Sequence, residues 1–229
     1  MKPLCFIGAR GGSQGVPRKN IRQLAGKPLI AYTIESSIKS NLFSHIVVST
    51  EDPEIASIAK KYGAEVPFLR PKSLATNTAS MIDVIKHGLK SLDSLGYKFD
   101  IIINRDCTVP FIRNQDIANS IKLLQKKKCD AVFCVYKQHL NPYFNMMELN
   151  QKGFLKFVKC HKKRPERRQD APTVYQLNGV FVYFVKKFLK YGTFQPKSIP
   201  YVIPPEKGLM IDTEFEFKIA ELAIKNKLF

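Results

Sequence analysis

The sequence predicts an α/β fold with a mostly parallel sheet flanked by helices, and three observations lead to it. The apolar run 4–7 stops at Gly8, as a buried strand does. Stretches typical of strands and helices alternate over 28–62, the order of a parallel sheet with right-handed crossovers. The segment FDIIIN at 99–104 is apolar almost throughout, as a central parallel strand is. A chain of 229 residues can bury a full core, so we expect one domain over 1–229.

The individual elements follow from local signals. Isoleucines recur every fourth residue over 28–40 and predict a helix with one apolar face, and the β-branched stretch 45–50 predicts a strand. Asp52 before Pro53 has the pattern of an N-cap and a first helical turn, so a second helix begins there. Later elements are predicted as helices around 82–92 and over 114–127, and as strands at 130–136, 180–184 and 199–204.

The pattern at the end of the sequence predicts one more helix. Thr213 with Glu216 three residues later forms a capping-box pattern. Phe215, Ile219, Leu222 and Ala223 then form a stripe at helical spacing, so we expect them on the buried face.

The loop after the first strand, residues 8–20, has the residue types that bind phosphate. Glycines let a backbone turn tightly and bring its N–H groups close to an anion, and arginine and lysine supply positive charge. The loop matches neither the dinucleotide fingerprint G-x-G-x-x-G nor the P-loop G-x-x-x-x-G-K-[ST]. A solvated basic turn is the structural alternative, but the position directly after an N-terminal strand favours phosphate binding. The side chains concerned are Arg10, Ser13, Arg18 and Lys19, beside Gly11, Gly12 and Gly15.

The chain is strongly basic, with 37 basic and 19 acidic residues, a formal charge of +18 and a pI near 9.7. Such a charge fits either nucleic acid or anionic substrates. The lysines are spread along the whole chain, with the densest basic run at 159–168. This distribution fits the background charge of a lysine-rich proteome, so we expect no nucleic-acid partner.

Apolar runs and cysteines indicate the cellular compartment in which we expect the protein. No apolar run approaches the length of a membrane span, and the N-terminus lacks a signal-peptide pattern. The five cysteines are odd in number and contain no C-x-x-C pair, which favours reduced, mostly buried thiols over disulfides or a zinc site. We expect a cytoplasmic protein with no membrane partner.

A longer pattern identifies the phosphate-binding loop more closely. The order A-R-G-G-S-x-G-x-P-x-K-N, followed by L-A-G-K-P-L-I, closely resembles the signature of the CMP-sialic acid synthetases (acylneuraminate cytidylyltransferases), which join CTP to an acidic nine-carbon sugar. The segments N-P-Y-F-N-M-x-E-L and R-Q-D-A-P look most like the members that use legionaminic acid. The resemblance implies a Rossmann-like nucleotidyltransferase fold. It also implies a homodimer, in which a small β-rich dimerisation lobe at 137–175 is swapped between subunits.

The resemblance also implies roles for individual residues. Arg10 and Lys19 would hold the triphosphate and stabilise the charge that develops on the leaving pyrophosphate. The sugar would be contacted by Arg168, which pairs with its carboxylate, by Asn178, and by Phe194 from the neighbouring subunit. The nucleotide would be contacted by Gly11, Gly12, Ser13, Asn20, Arg70 and Ser80.

The expected cofactor is Mg²⁺, held by two carboxylates. Asp106 follows the strand 99–104, at the edge of the sheet where α/β proteins bind ligands, and a turn-forming role is its alternative. Asp212 matches the second carboxylate of the family pattern D-I-D-T or D-I-D-S, whereas Met210 replaces the first. Mg²⁺ is often bound through only one or two carboxylates, so the loss of one ligand need not abolish binding.

The sequence does not identify the acidic sugar that accepts CMP. Within the same chemistry, the alternatives are a CMP-Kdo synthetase and a CMP-pseudaminic acid synthetase. An alternative from another class is a non-catalytic protein that binds nucleotide or nucleic acid. The reason to consider it is the altered metal motif, in which Met210 replaces a carboxylate.

Overall fold

A mostly parallel sheet forms the centre of the chain in the computed structural model, which describes residues 1–13, 15–160 and 165–228. The strands are β1 (Leu4–Gly8), β2 (Gln23–Leu24), β3 (Lys27–Pro28), β4 (His45–Ser49), β5 (Ile101–Arg105), β6 (Ala131–Lys137), β7 (Met147–Leu149), β8 (Leu155–Phe157), β9 (Tyr175–Phe184) and β10 (Ser198–Val202). Six of them pair in the order β10–β6–β9–β5–β1–β4. Neighbours are parallel, except that β9 runs antiparallel to β5 and β6. The predicted fold class is confirmed.

Helices connect the strands, and their ends follow the local signals. Asp52 is the N-cap of the second helix, and its carboxylate accepts hydrogen bonds from the N–H groups of Glu54 and Ile55. Thr213 and Glu216 form the predicted capping box of the last helix. The helices are α1 (Leu29–Ser40), α2 (Pro53–Lys61), α3 (Met81–Ser94), α4 (Asn114–Lys126), α5 (Val185–Tyr191) and α6 (Glu214–Lys225).

The two faces of the sheet are covered by different helices. Strand β1 is buried on both sides: Cys5 and Ile7 face a cluster shared with α1, α2 and α4, whereas Leu4 and Phe6 face a cluster shared with α3 and α5. This explains the continuous apolar run that marks β1 in the sequence. Within the described ranges, no helix is long and apolar enough to cross a membrane.

Three elements differ from the prediction. Strand β9 has ten residues instead of the five predicted at 180–184, and α5 follows it without an advance signal. Strands β2 and β3 form a tight hairpin whose turn residues, Ala25 and Gly26, both have positive φ (48° and 83°). Two-residue hairpin turns require such angles, but alanine is not the residue that signals them.

The predicted buried face of α6 is wrong for its three large residues, and only Ala223 of the predicted stripe is buried. Phe215 is 71% exposed, and Ile219 and Leu222 are exposed as well, whereas Phe217 and Ala220 pack into the core. Apolar residues lie on both sides of this helix, so helical spacing alone could not decide which side the core would cover.

The lobe predicted at 137–175 contains the expected hairpin. Strands β7 and β8 pair antiparallel around a turn in which Asn150 Oδ1 accepts hydrogen bonds from the N–H groups of Lys152 and Phe154. The basic run 159–168 lies beyond β8, and its residues 161–164 are outside the described residues. Several large apolar side chains of the hairpin are exposed in the single chain: Met147, Leu149, Phe154 and Leu155.

The core contains a fully buried arginine, Arg105, at the end of β5, which the sequence did not predict. The guanidinium of Arg105 is fully buried and donates hydrogen bonds to the carbonyl of Thr33 (3.2 Å) and to the hydroxyls of Ser37 (2.6 Å) and Ser36 (3.2 Å). All three acceptors belong to α1, so the side chain fastens α1 to the end of β5. The strand prediction stopped one residue earlier, because arginine is rarely buried.

Candidate active site

A cleft of about 490 Å³ opens at the carboxyl ends of β1 and β5. Its walls come from the loop after β1, the stretch 70–84, the turn after β5 and the segment ahead of α6. Residues assigned to one site from four separate parts of the sequence therefore meet in one place. The predicted site residues that line the cleft are Arg10, Ser13, Lys19, Asn20, Arg70, Asp106 and Asp212.

Lys19 joins the phosphate loop to the segment ahead of α6. Its ammonium donates hydrogen bonds to the carbonyl of Ile211 (2.7 Å) and to Oδ1 of Asp212 (2.8 Å). The side chain of Lys19 is 13% exposed and that of Asp212 is 57% exposed. The positive charge is thus held at the wall of the cleft, while the carboxylate beside it stays open to solvent.

Gly15 is a glycine because the same segment approaches the loop closely. A Cβ atom at this position would lie 2.0 Å from the carbonyl oxygen of Asp212, which is too close for any side chain. At Gly12, in contrast, a Cβ would meet no atom within 4 Å. The geometry therefore requires glycine at 15 and leaves space for a side chain at 12.

Arg10 and Asn20 support the loop from inside. The guanidinium of Arg10 donates to the carbonyl of Thr76 (3.0 Å) and to Oδ1 of Asn77 (2.9 Å), which ties the loop to the opposite wall. Asn20 is buried, donates to the carbonyl of Arg10 (2.9 Å) and accepts a hydrogen bond from the thiol of Cys107 (3.1 Å). Burial raises the pKa of that thiol, so Cys107 acts here as a neutral donor.

Asp106 sits in a turn that holds its carboxylate at the cleft. Its N–H donates to the carbonyl of Gly179 (2.6 Å), and its Oδ1 accepts from the N–H of Thr108 (3.0 Å). Burial raises the pKa of this carboxyl group, and the Asp212 charge adds to the rise, whereas the Thr108 hydrogen bonds and the charge of Lys19 lower it. The pKa of Asp106 is raised overall, because these hydrogen bonds and the Lys19 charge do not offset the cost of burying the ionised carboxylate.

The two carboxylates suit a hard cation. Asp106 and Asp212 line the same cleft and offer the oxygen ligands that Mg²⁺ prefers. The described residues contain no cluster of three or more His, Cys, Asp or Glu that could hold a metal ion. Mg²⁺ commonly takes one or two carboxylates together with substrate phosphates, so the pair fits this ion. Met210 packs against the core cluster that includes Ile7 and Ile103.

Ser80 and Gly11 have structural contacts of their own. Ser80 is exposed, lies between the lining residues Ala79 and Met81, and accepts a hydrogen bond from the N–H of Ile82 as the N-cap of α3. The N–H of Gly11 donates to a carboxylate of the protein, described below, and not to open space.

The three residues predicted to contact the sugar are not among the described residues that line this cleft in the single chain. Arg168 is exposed, with its guanidinium 3.3 Å from Nδ1 of His139. Asn178 is fully buried and donates to the carbonyl of Gly208 (2.8 Å), and its Oδ1 has no hydrogen-bond partner within the described part of the chain. Phe194 is 71% exposed.

Sequence reasoning missed Glu51, which follows β4 at the same edge of the sheet. Its Oε1 accepts from the N–H of Gly11 (2.7 Å) and its Oε2 from the guanidinium of Arg70 (3.0 Å). Arg70 is 5% exposed, and burial lowers the pKa of its guanidinium, whereas the charge of Glu51 raises it. The position after a parallel strand was the available signal, because the carboxyl ends of such strands share one edge.

Phosphate-binding groups and two carboxylates meet at the carboxyl edge of a parallel sheet, where α/β proteins bind nucleotides. The particular family follows from comparison with known proteins. The family model described as "Cytidylyltransferase" matches residues 4–215, so the chain belongs to the cytidylyltransferase family. The predicted membership of the acylneuraminate cytidylyltransferases is confirmed by relatives that cover nearly the whole chain.

Among these relatives is the post-translational flagellin modification protein B of Campylobacter coli, 37% identical over 98% of this chain and 95% of the relative. A CMP-N,N'-diacetyllegionaminic acid synthase of Campylobacter jejuni is 34% identical over the same shares of both chains. A pseudaminic acid cytidylyltransferase of Campylobacter jejuni is 33% identical over 98% of this chain and 97% of the relative.

Solved structures confirm the nucleotidyltransferase fold. CMP:2-keto-3-deoxy-manno-octonic acid synthetase complexed with CTP matches with a TM-score of 0.70 at 14% identity, over 99% of this chain and 100% of that one. The 4-diphosphocytidyl-2C-methyl-D-erythritol synthase of Anaerococcus prevotii matches with a TM-score of 0.67 at 14% identity, over 98% and 99%.

Proposed function

We propose that the protein transfers CMP from CTP to the anomeric hydroxyl of a nonulosonic acid of the sialic or legionaminic type, for surface glycan synthesis. One observation supports this proposal above all: Arg10 and Lys19 line the same cleft as Asp106 and Asp212. The family and the acids named in its relatives support the substrate class.

In the proposed reaction, the anomeric hydroxyl oxygen forms a bond to the α-phosphorus of CTP, and the bond to the bridging oxygen of the β-phosphate breaks. Pyrophosphate leaves with that electron pair, and the hydroxyl proton is released. Positioning and neutralisation of charge supply most of the catalysis in such transfers. Arg10 and Lys19 are held at the wall of the cleft by hydrogen bonds, so they are pre-oriented to counter the charge that grows on pyrophosphate.

The remaining loop residues would orient the nucleotide. Gly12 and Ser13 would contact the phosphates, Asn20 keeps the loop in shape, and Arg70 and Ser80 would contact the nucleotide from the opposite wall. Asp106 and Asp212 would hold Mg²⁺, which when bound neutralises charge on phosphate oxygens. A partly buried carboxylate with a raised pKa, such as Asp106, gains most from a nearby cation.

The sugar would be bound by residues that a dimer completes. Arg168 would pair with the sugar carboxylate, as guanidinium groups do, and Asn178 would contact the same sugar. Phe194 would reach into the sugar pocket of the neighbouring subunit. We regard 1–229 as one domain with the lobe 137–175 as an excursion that pairs two subunits. The exposed apolar side chains of the hairpin, such as Leu149 and Phe154, support this, since monomers rarely expose such patches. Sedimentation equilibrium should give a dimer, and a stable monomer at micromolar concentration would contradict it.

The proposed compartment is the cytoplasm. Four of the five cysteines are buried and all five are free thiols, which is typical of proteins in a reducing environment.

A release assay for pyrophosphate tests the function. Purified protein, CTP and Mg²⁺ are combined in turn with N-acetylneuraminic, legionaminic and pseudaminic acids and with Kdo. We expect turnover with a nonulosonic acid, and most with the legionaminic type. Pseudaminic acid is the second candidate, because a relative named for it is 33% identical to this chain. Salt-sensitive binding to DNA or RNA without CTP turnover would favour the non-catalytic alternative instead.

A further inference from the structure

Glu51 lies in the segment that follows β4 and is not among the described residues that line the cleft. Its side chain is 14% exposed, and the two groups that it contacts, the backbone of Gly11 and the guanidinium of Arg70, belong to different walls. The carboxylate therefore bridges the phosphate loop and the stretch that begins at Arg70. Arg70 also lines the cleft.

The bond to Arg70 keeps a buried cation in place. Arg70 is 5% exposed, and Glu51 is its ion-pair partner at 3.0 Å. A buried charge is costly unless it is paired, so the guanidinium would seek solvent if the carboxylate were removed. Within the described residues this guanidinium makes one hydrogen bond, from Nη2 to Glu51, and its buried Nε–H has no partner. Arg70 lines the cleft, so its remaining Nη hydrogens are the ones that can donate to a nucleotide there.

The bond to Gly11 fixes the start of the phosphate loop. A Cβ at Gly11 would lie 2.5 Å from Oδ2 of Asp52, so the glycine allows the acidic segment 51–52 to pack directly against the loop. The Gly11 N–H is directed at Glu51 Oε1, 2.7 Å away. In this arrangement the group holds the loop and does not point at a phosphate.

We propose that Glu51 is a positioning residue for CTP. It sets the distance between the phosphate loop and Arg70 by holding one group of each with its two carboxylate oxygens. This inference rests on the proposed function only in naming CTP as the ligand. A carboxylate that competed with the phosphates would line the cleft, whereas Glu51 is not among its described lining residues.

Glu51→Gln is the direct test, because it keeps the shape and removes the charge. We expect the dissociation constant for CTP, measured by calorimetry without sugar, to rise about tenfold, as the loss of a hydrogen bond to a charged group predicts. In turnover assays, KM for CTP should rise, while KM for the sugar stays unchanged. Glu54→Gln is the matched control: this exposed carboxylate of the same segment pairs with Arg18, which also pairs with Asp52.

Glu51→Asp keeps the charge but is one methylene too short to reach both groups, and it should weaken CTP binding to a lesser degree. This second variant answers the question if Glu51→Gln fails to fold, which circular dichroism would show. Unchanged or tighter CTP binding in the folded variants would overturn the inference. Failure of the proposed function would look different: wild-type protein would release no pyrophosphate with any acid, whereas the calorimetric comparison would stand on its own.

Discussion

The close approach of Gly15 to the segment ahead of α6 gives the sharpest mutational prediction. In Gly15→Ala, the new Cβ would lie 2.0 Å from the carbonyl oxygen of Asp212, and ordinary contact begins at 3.4 Å. The loop and the segment must therefore separate by about 1.4 Å. Lys19 bonds to Ile211 and Asp212 in this segment, so its ammonium would lose its place.

A displacement of about 1 Å at a catalytic group can cost roughly a hundredfold in rate, so we expect kcat/KM to fall by about that factor. Overpacking should lower the free energy of unfolding by about 1–3 kcal/mol. Steady-state pyrophosphate release and urea unfolding measure the two effects. The comparison variant for stability is Gly12→Ala, whose added methyl meets no protein atom within 4 Å, so its loss of unfolding free energy should be much smaller. Equal activity in Gly15→Ala and wild type would refute the close contact between loop and segment.

Three further substitutions separate catalysis from stability. Lys19→Ala should lower kcat about a hundred- to a thousandfold, as loss of a charge-stabilising donor does, with an unchanged circular dichroism spectrum; full activity would refute the loop assignment. Asp106→Asn should raise the melting temperature of the metal-free protein at neutral pH and abolish turnover. The reason is that a raised carboxyl pKa favours the protonated folded state, so wild-type stability falls as pH rises from the usual aspartate range through that raised pKa; a melting temperature that does not respond to pH in this way would contradict it. Arg105→Met should melt no lower than wild type, because it removes a buried charge and the Ser36 and Ser37 hydroxyls keep other partners; a large destabilisation would contradict it.

The predictable part of the fold is the part that local chemistry decides. The cap of α2 at Asp52 and the box of Thr213 and Glu216 are made by neighbours in sequence, so their pattern alone located the helix starts. The buried face of α6 could not be found this way, because Phe215 and Phe217 compete and only packing against the rest of the chain chooses between them.

In the candidate site, too, the sequence predicts some residues, and only the folded chain reveals others. The cleft gathers Arg10, Lys19, Asp106 and Asp212 as expected, since parallel strands deliver their following loops to one edge. The role of Glu51 depends on contacts 40 residues away at Gly11 and 19 residues away at Arg70, which no local pattern records.

CMP transfer from CTP to a nonulosonic acid is tested most directly by one panel of acceptor substrates. We expect the protein with CTP and Mg²⁺ to release pyrophosphate in step with the formation of a CMP-linked sugar, and only when such an acid is present. No release with legionaminic, pseudaminic or N-acetylneuraminic acid, and none with Kdo, would contradict it.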